Sequence, residues 1–164
     1  MTATHGNPAP HFDLPIVGGG YRGLRDIVEP GGGIVVFVKD GCAASELVMS
    51  RIGPLARALE MEERLFLAIA QEDEDTARAF RAKHMLQFPI AYDTPPYATS
   101  HAYGVTTVPT LLVVDGTGIV AERIHGFVKS DYLGLGPAIE QALALGGVPL
   151  VLDRPEELPD LKPG

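Results

Sequence analysis

The chain has 164 residues, 46% hydrophobic and 21% charged, which is enough for one domain with a buried core. Thirteen Lys and Arg against 21 Asp and Glu give a formal net charge of -8, and an acidic surface repels nucleic-acid phosphates and anionic lipid, so neither is an expected partner. A single cysteine, Cys42, excludes an internal disulfide and a cysteine-rich zinc site, and the longest apolar runs, Ile34–Val38 and Leu65–Ala70, are too short to span a bilayer.

Met1–Pro10 carries no basic region followed by an apolar stretch, so no secretory leader is expected and the chain is assigned to the cytoplasm. Gly6–Ile16 reads as an extended arm. Pro8, Pro10 and Pro15 block helix, and Phe12, Leu14 and Ile16 alternate like one face of an edge strand. Gly18-Gly19-Gly20 marks a turn, and Leu24–Val28 is a short helical turn stopped by Pro30. Gly31-Gly32-Gly33 leads into Ile34–Val38, which is β-branched and apolar on both faces, the pattern of a covered central strand. Lys39-Asp40-Gly41 ends it.

A helix is predicted from about Ala43 to Glu60, with Val48, Ile52, Leu55 and Leu59 on one stripe and a kink at Gly53-Pro54. Arg64–Ala70 is a second buried strand. Glu72–Met85 is a charged helix with Ala77, Phe80 and His84 facing inward, and Glu72-Asp73-Glu74-Asp75 places acids on its positive dipole end. Phe88–Tyr92 is extended, and Tyr97–Tyr103 is a short helix closed by Gly104. Thr110–Val114 is a third buried strand, Asp115-Gly116-Thr117-Gly118 a hairpin turn, and Ile119–His125 the returning strand. Leu135–Leu145 is the last helix, with Pro137 near its start and Gly146-Gly147 closing it.

This order predicts an α/β domain over residues 1–146 with a mixed sheet flanked by helices. The Pro-rich acidic tail, 147–164, is expected to be loosely attached or disordered. Packing of Val148, Leu150, Val151 and Leu152 on a neighbour is the alternative.

Cys42 follows a buried strand and opens a helix. Free N–H groups and the positive dipole end meet there and favour the thiolate, and Lys39 adds to this. The competing reading is a buried cysteine acting as a small hydrophobe. The five histidines (His5, His11, His84, His101, His125) lack metal-ligand spacing. The glycine triplets precede a turn and a strand, not a helix, so no phosphate loop and no cofactor is expected. Thr106, Thr107 and Thr110 read as β-formers, with Thr107 able to border a site.

An ordered set of motifs resembles the thioredoxin superfamily, most closely its TlpA-type redoxins, neighbours of the AhpC/TSA family. The set is Gly6-x-Pro8-Ala9-Pro10-x-Phe12-x-Leu14, Val35–Cys42, Phe88-Pro89-Ile90-x-x-Asp93, Tyr103-Gly104-Val105-x-x-Val108-Pro109-Thr110, and Asp115-Gly116 with Gly126-Phe127. It implies a thioredoxin-like fold with an N-terminal β extension. It also implies that Cys42 is the attacking cysteine. Pro109 would be the cis-proline beside it, and Val108 would offer its backbone to a substrate chain.

The family's Cys-x-x-Cys is here Cys42-x-x-Ser45, preceded by Gly41, so the resemblance implies no internal dithiol cycle. An external thiol, glutathione-like or from a protein, must resolve any disulfide on Cys42. Ser45 is expected to hydrogen-bond the Cys42 thiolate through its hydroxyl, against the alternative of a solvated helix-start serine. Glu46 is expected on a solvated face. The peroxiredoxin Pro-x-x-x-Thr-x-x-Cys pattern fails at Val35 and Lys39.

Three functions follow as expectations. The first is a monothiol oxidoreductase acting on disulfide-bearing proteins. The second is a one-cysteine peroxidase acting on a small peroxide. The third is a redox-inactive binding module. Gly41, Ala43, Ala44, Thr107, Val108 and Pro109 would line the substrate groove beside Cys42 and Ser45. Monomer and dimer are both open.

Overall fold

The computed structural model describes residues 3–58, 65–145 and 155–164. Its centre is a five-stranded mixed sheet of β3 (Gly32–Val38), β4 (Phe66–Ala70), β5 (Ile90–Tyr92), β6 (Thr110–Asp115) and β7 (Val120–His125), in the order β5-β4-β3-β6-β7. β3, β4 and β5 run parallel, whereas β6 is antiparallel to both β3 and β7. Every residue of β3 and β4 is buried, as two covered faces require.

Side chains alternate between the two faces. Ile34, Val36 and Val38 join Phe66, Ala68, Leu111 and Val113 under helices α2 (Ala43–Ala58), α3 (Glu74–Lys83) and α6 (Leu135–Leu143). Val35 and Phe37 join Leu67, Ile69, Leu112 and Val114 on the opposite face. There the N-terminal arm is the cover. It bridges to Ile119 through Pro8 at the β7 side and to Ala91 through Ile16 at the β5 edge, so it crosses the sheet and lays Phe12 and Leu14 on it. Burying two such side chains stabilises the fold by about 1.5–3 kcal/mol each.

The arm contains a hairpin, β1 (Asp13–Pro15) with β2 (Tyr21–Gly23), turned by Gly18–Gly20 at positive φ. α1 (Leu24–Val28) follows. α4 (Ala98–Ala102) is capped by Tyr103 and followed by Gly104 at φ 64°. The carbonyls of Tyr103 and Gly104, just past its end, accept from the Arg123 guanidinium, which also donates to Ala3 O. That cation ties the arm, α4 and β7 together. No described helix is long and apolar enough to cross a membrane.

Most predicted elements stand within a residue or two of their expected limits. α2 is helical through Gly53-Pro54 to Ala58; its predicted end at Glu60 and the stripe residue Leu59 lie outside the described residues, as does Gly146-Gly147. Glycine belongs to β3 itself, which starts at Gly32. The Gly32 φ of 102° and the Val114 carbonyl beside it leave no room for a Cβ.

Three elements have no counterpart among the predicted ones: α5 (Lys129–Leu133) and the pair β8 (Phe127–Val128) and β9 (Leu161–Lys162). Residues 155–164 of the tail are docked, contrary to the expected loose attachment, while Val148, Leu150, Val151 and Leu152 lie outside the described residues. Leu158 is buried in the core, and β9 pairs with β8. The Lys129 ammonium donates to Pro155 O and Leu158 O and pairs with Asp160. Composition pointed to disorder, but one buried leucine and one shared cation supply what composition does not show.

Candidate active site

β3 and β6 are antiparallel, with Phe37 opposite Thr110. The end of β3 therefore lies beside the start of β6, and the loop after one meets the loop before the other. That is how Cys42 and Val108, 66 residues apart, come into contact. The Cys42 thiol donates to the Val108 carbonyl at 3.5 Å. The Val108–Pro109 peptide bond is cis, and Pro109 is buried.

Gly41, at φ 74°, turns the chain from strand to helix. Cys42 then stands at the helix N-cap, half-buried, and its Sγ accepts the Ser45 backbone N–H at 3.5 Å. The sulfur thus meets one of the orphan donors of the first turn, the end of the helix that favours negative charge.

The Ser45 hydroxyl does something other than expected. It is fully buried and accepts the Lys39 N–H at 3.3 Å, so it closes the loop that carries Cys42. The contact between Ser45 and the sulfur runs through the Ser45 amide, not its hydroxyl. The first turn points that amide at the cap, while the side chain turns to the Lys39 N–H just past the end of β3. Ser45 is equally far from a solvated helix-start serine.

Among the other predicted residues, Gly41 and Ala43 are exposed beside Cys42, and Thr107 and Val108 are half-buried across from it. Ala44 is fully buried and joins the interior under the loop, so it does not line a groove. Thr107 O accepts from the Thr110 hydroxyl at 2.6 Å, and Pro109 O accepts from Gly126 N–H at 2.7 Å, which together fix the strand start. Two cavities, of about 420 and 720 Å³, lie elsewhere, and Cys42 lines neither.

Glu46 also departs from expectation. Its carboxylate is ion-paired with Lys83 of α3, which holds it below the usual carboxylate range. The pairing neutralises a charge one turn from Cys42, and only the packing of α3 on α2 reveals it.

Next to Lys83, the His84 ring lies against Phe80, tilted 54° with centroids 4.5 Å apart, and its Nε2 is buried with no hydrogen-bond partner. Burial first, and then the Lys83 charge, push its pKa down, with Glu46 and Asp40 pulling the other way. His125 is lowered by burial and by Arg123. A histidine with a folded pKa below its unfolded value disfavours proton uptake in the folded state. Its neutral form costs nothing above the unfolded pKa of about 6.5, and stability falls as pH drops through that value toward the folded one. Thermal unfolding followed from about pH 7.5 to 5.5 should show a falling Tm, with a shallower fall in His84→Asn. An unchanged slope in that variant would refute the assignment to His84.

The AhpC/TSA family model matches residues 5–123. No curated protein matches the sequence. Solved structures do. A protein from Chlorobium tepidum, provisionally named thiol:disulfide interchange protein DsbE, is 24% identical over 87% of this chain and 99% of its own, with a TM-score of 0.76. One from Bacteroides thetaiotaomicron, provisionally named a protein disulfide isomerase, is 16% identical over 89% and 96%, with a TM-score of 0.72. A thiol:disulfide interchange protein of the thioredoxin family from Chlorobium tepidum TLS is 21% identical over 85% and 98%, with a TM-score of 0.67. At these identities the likeness establishes a thioredoxin-like fold, with the N-terminal hairpin preceding it.

Proposed function

The chain belongs to the AhpC/TSA family, and on that premise we propose that it is a thiol–disulfide oxidoreductase that works through Cys42 alone. The observation that carries this reading is the sulfur's position. Cys42 Sγ sits half-buried at the start of α2, against the Ser45 N–H on one side and the Val108 carbonyl on the other.

The cycle has two exchanges. The Cys42 thiolate attacks the small-thiol sulfur of a mixed disulfide on a protein; that S–S bond breaks, the protein leaves as a thiolate, and a new disulfide joins Cys42 to the small thiol. An external thiolate then attacks that bond, regenerates Cys42 and carries away the disulfide. The two small thiols end joined as a disulfide, the protein substrate ends as a free thiol, and no second cysteine of the chain is needed. The substrate backbone would pair with Val108, the residue whose carbonyl already faces the sulfur. A cytoplasmic thiol pool would supply the reductant, which suits a chain with one cysteine and no disulfide.

The decisive experiment is intact-protein mass spectrometry of the reduced chain, exposed separately to oxidised glutathione and to limiting hydrogen peroxide, with Cys42→Ser as the blank. Glutathione addition faster than on free cysteine is the expected outcome. Oxygen addition outpacing it would move the assignment to a peroxidase forming a sulfenic acid. Neither adduct forming faster than on free cysteine would overturn both redox readings.

A further inference from the structure

The Val108 edge that a substrate chain would use is already in contact with another part of the molecule. Residues 162–164 run over Gly126 and Thr107; a Cβ placed on Gly126 would lie 3.5 Å from Lys162 O and 3.6 Å from Gly164 N. Gly164 rests directly on the Val108 carbonyl oxygen, with Thr107 Cγ2 beside it, so close that only glycine fits there. The same oxygen accepts from Cys42 Sγ.

The segment is anchored at several points. Phe127 pairs with Lys162 and Val128 with Leu161. Lys129 N–H donates to Asp160 O at 2.9 Å, and its ammonium holds Pro155 O, Leu158 O and the Asp160 carboxylate. Leu158 is the apolar plug beneath.

We propose that residues 159–164 are a strap that selects substrates by size. When closed, it keeps an extended polypeptide from pairing at Val108 while small disulfides still reach the half-exposed Cys42; a protein mixed disulfide pairs there only when the strap swings away. The inference rests on the Cys42 reading above, and it adds a gate to that site. The anchoring contacts are exposed along β9, where both Leu161 and Lys162 face solvent, so the strap is held mainly by backbone pairing and by Lys129. Such a closure opens locally without disturbing the core.

The test uses one activated disulfide on two carriers: thionitrobenzoate attached to glutathione, and to the cysteine of a synthetic extended decapeptide. In each reaction the Cys42 thiolate attacks the carrier sulfur and releases the coloured thionitrobenzoate anion. Two variants are compared with the parent, a chain ending at Leu158 and Lys129→Ala, both checked for an unchanged melting transition. A strap closed nine times in ten lowers the apparent rate about tenfold, so the ratio of peptide rate to glutathione rate should rise about tenfold in the shortened chain and less in Lys129→Ala. The glutathione rate should stay within about twofold of the parent. An unchanged ratio in both variants would overturn the strap, as would equal changes in both rates. The absolute glutathione rate of the parent judges the Cys42 reading separately: if it matches free cysteine, that reading fails whatever the ratio does.

Discussion

Ser45→Cys is expected to convert the chain from one that collects external adducts to one that closes its own disulfide. The Ser45 amide already lies 3.5 Å from Cys42 Sγ, so a sulfur on that residue's Cβ needs only a rotamer change to reach it. Treated with oxidised glutathione, the parent should carry a glutathione adduct and the variant should instead lose two hydrogens. An internal thiol attacks at a very high effective molarity, so any mixed disulfide on Cys42 would be resolved before a second glutathione arrives. Turnover of a protein disulfide with dithiothreitol as reductant should rise about tenfold or more, a change of at least about 1.4 kcal/mol in the resolving step.

The change has a cost. The Ser45 hydroxyl is buried and accepts the Lys39 N–H, and a thiol is the weaker acceptor, so about 1 kcal/mol of stability should be lost. If the variant still accumulates the external adduct at the parent's rate, the two sulfurs do not meet and the geometry assigned to the first turn of α2 is wrong.

Gly32→Ala should produce the largest loss of stability of any single methyl added to the strands. Gly32 opens β3 at φ 102°, which an L-residue adopts at a cost of about 1–3 kcal/mol. Its Cβ would also overlap the Val114 carbonyl oxygen across the β3–β6 ladder and fall 2.7 Å from Leu143 Cδ2. Overpacking of this kind adds about 1–3 kcal/mol. Together these take roughly 2–6 kcal/mol from a domain whose total stability is of the order of 5–15 kcal/mol. Gly31→Ala is the control, because Gly31 shares the positive φ, at 121°, but has nothing within 4 Å of the point where a Cβ would stand. Urea unfolding of both should place the Gly32→Ala midpoint well below that of Gly31→Ala. Equal midpoints would show that the sheet yields at this point and that backbone conformation alone sets the cost.

The framework of the domain is readable from local signals in the chain. Runs such as Ile34–Val38 and Phe66–Ala70 are apolar on both faces, and only a covered central strand satisfies that pattern. The arm's prolines, the acidic run Glu72-Asp73-Glu74-Asp75 at the start of α3 and the Gly104 stop act within a few residues of themselves. Because such signals are local, they are legible before folding. Placing Cys42 at a strand-to-helix junction belongs to the same class, since helix ends and their free N–H groups are local too.

What those residues touch is set by packing between distant parts of the chain. Cys42 meets the Val108 carbonyl because β3 and β6 are antiparallel in one particular register, and a pairing across 66 residues leaves no local trace. Ser45 turns its hydroxyl to Lys39, and Glu46 finds Lys83 on another helix. The acidic, proline-rich end is held by Lys129 and by Leu158 rather than left to solvent. The common physical reason is that a side chain's burial follows from its own stretch of chain, whereas its hydrogen-bond and ion-pair partners follow from which distant elements are packed beside it.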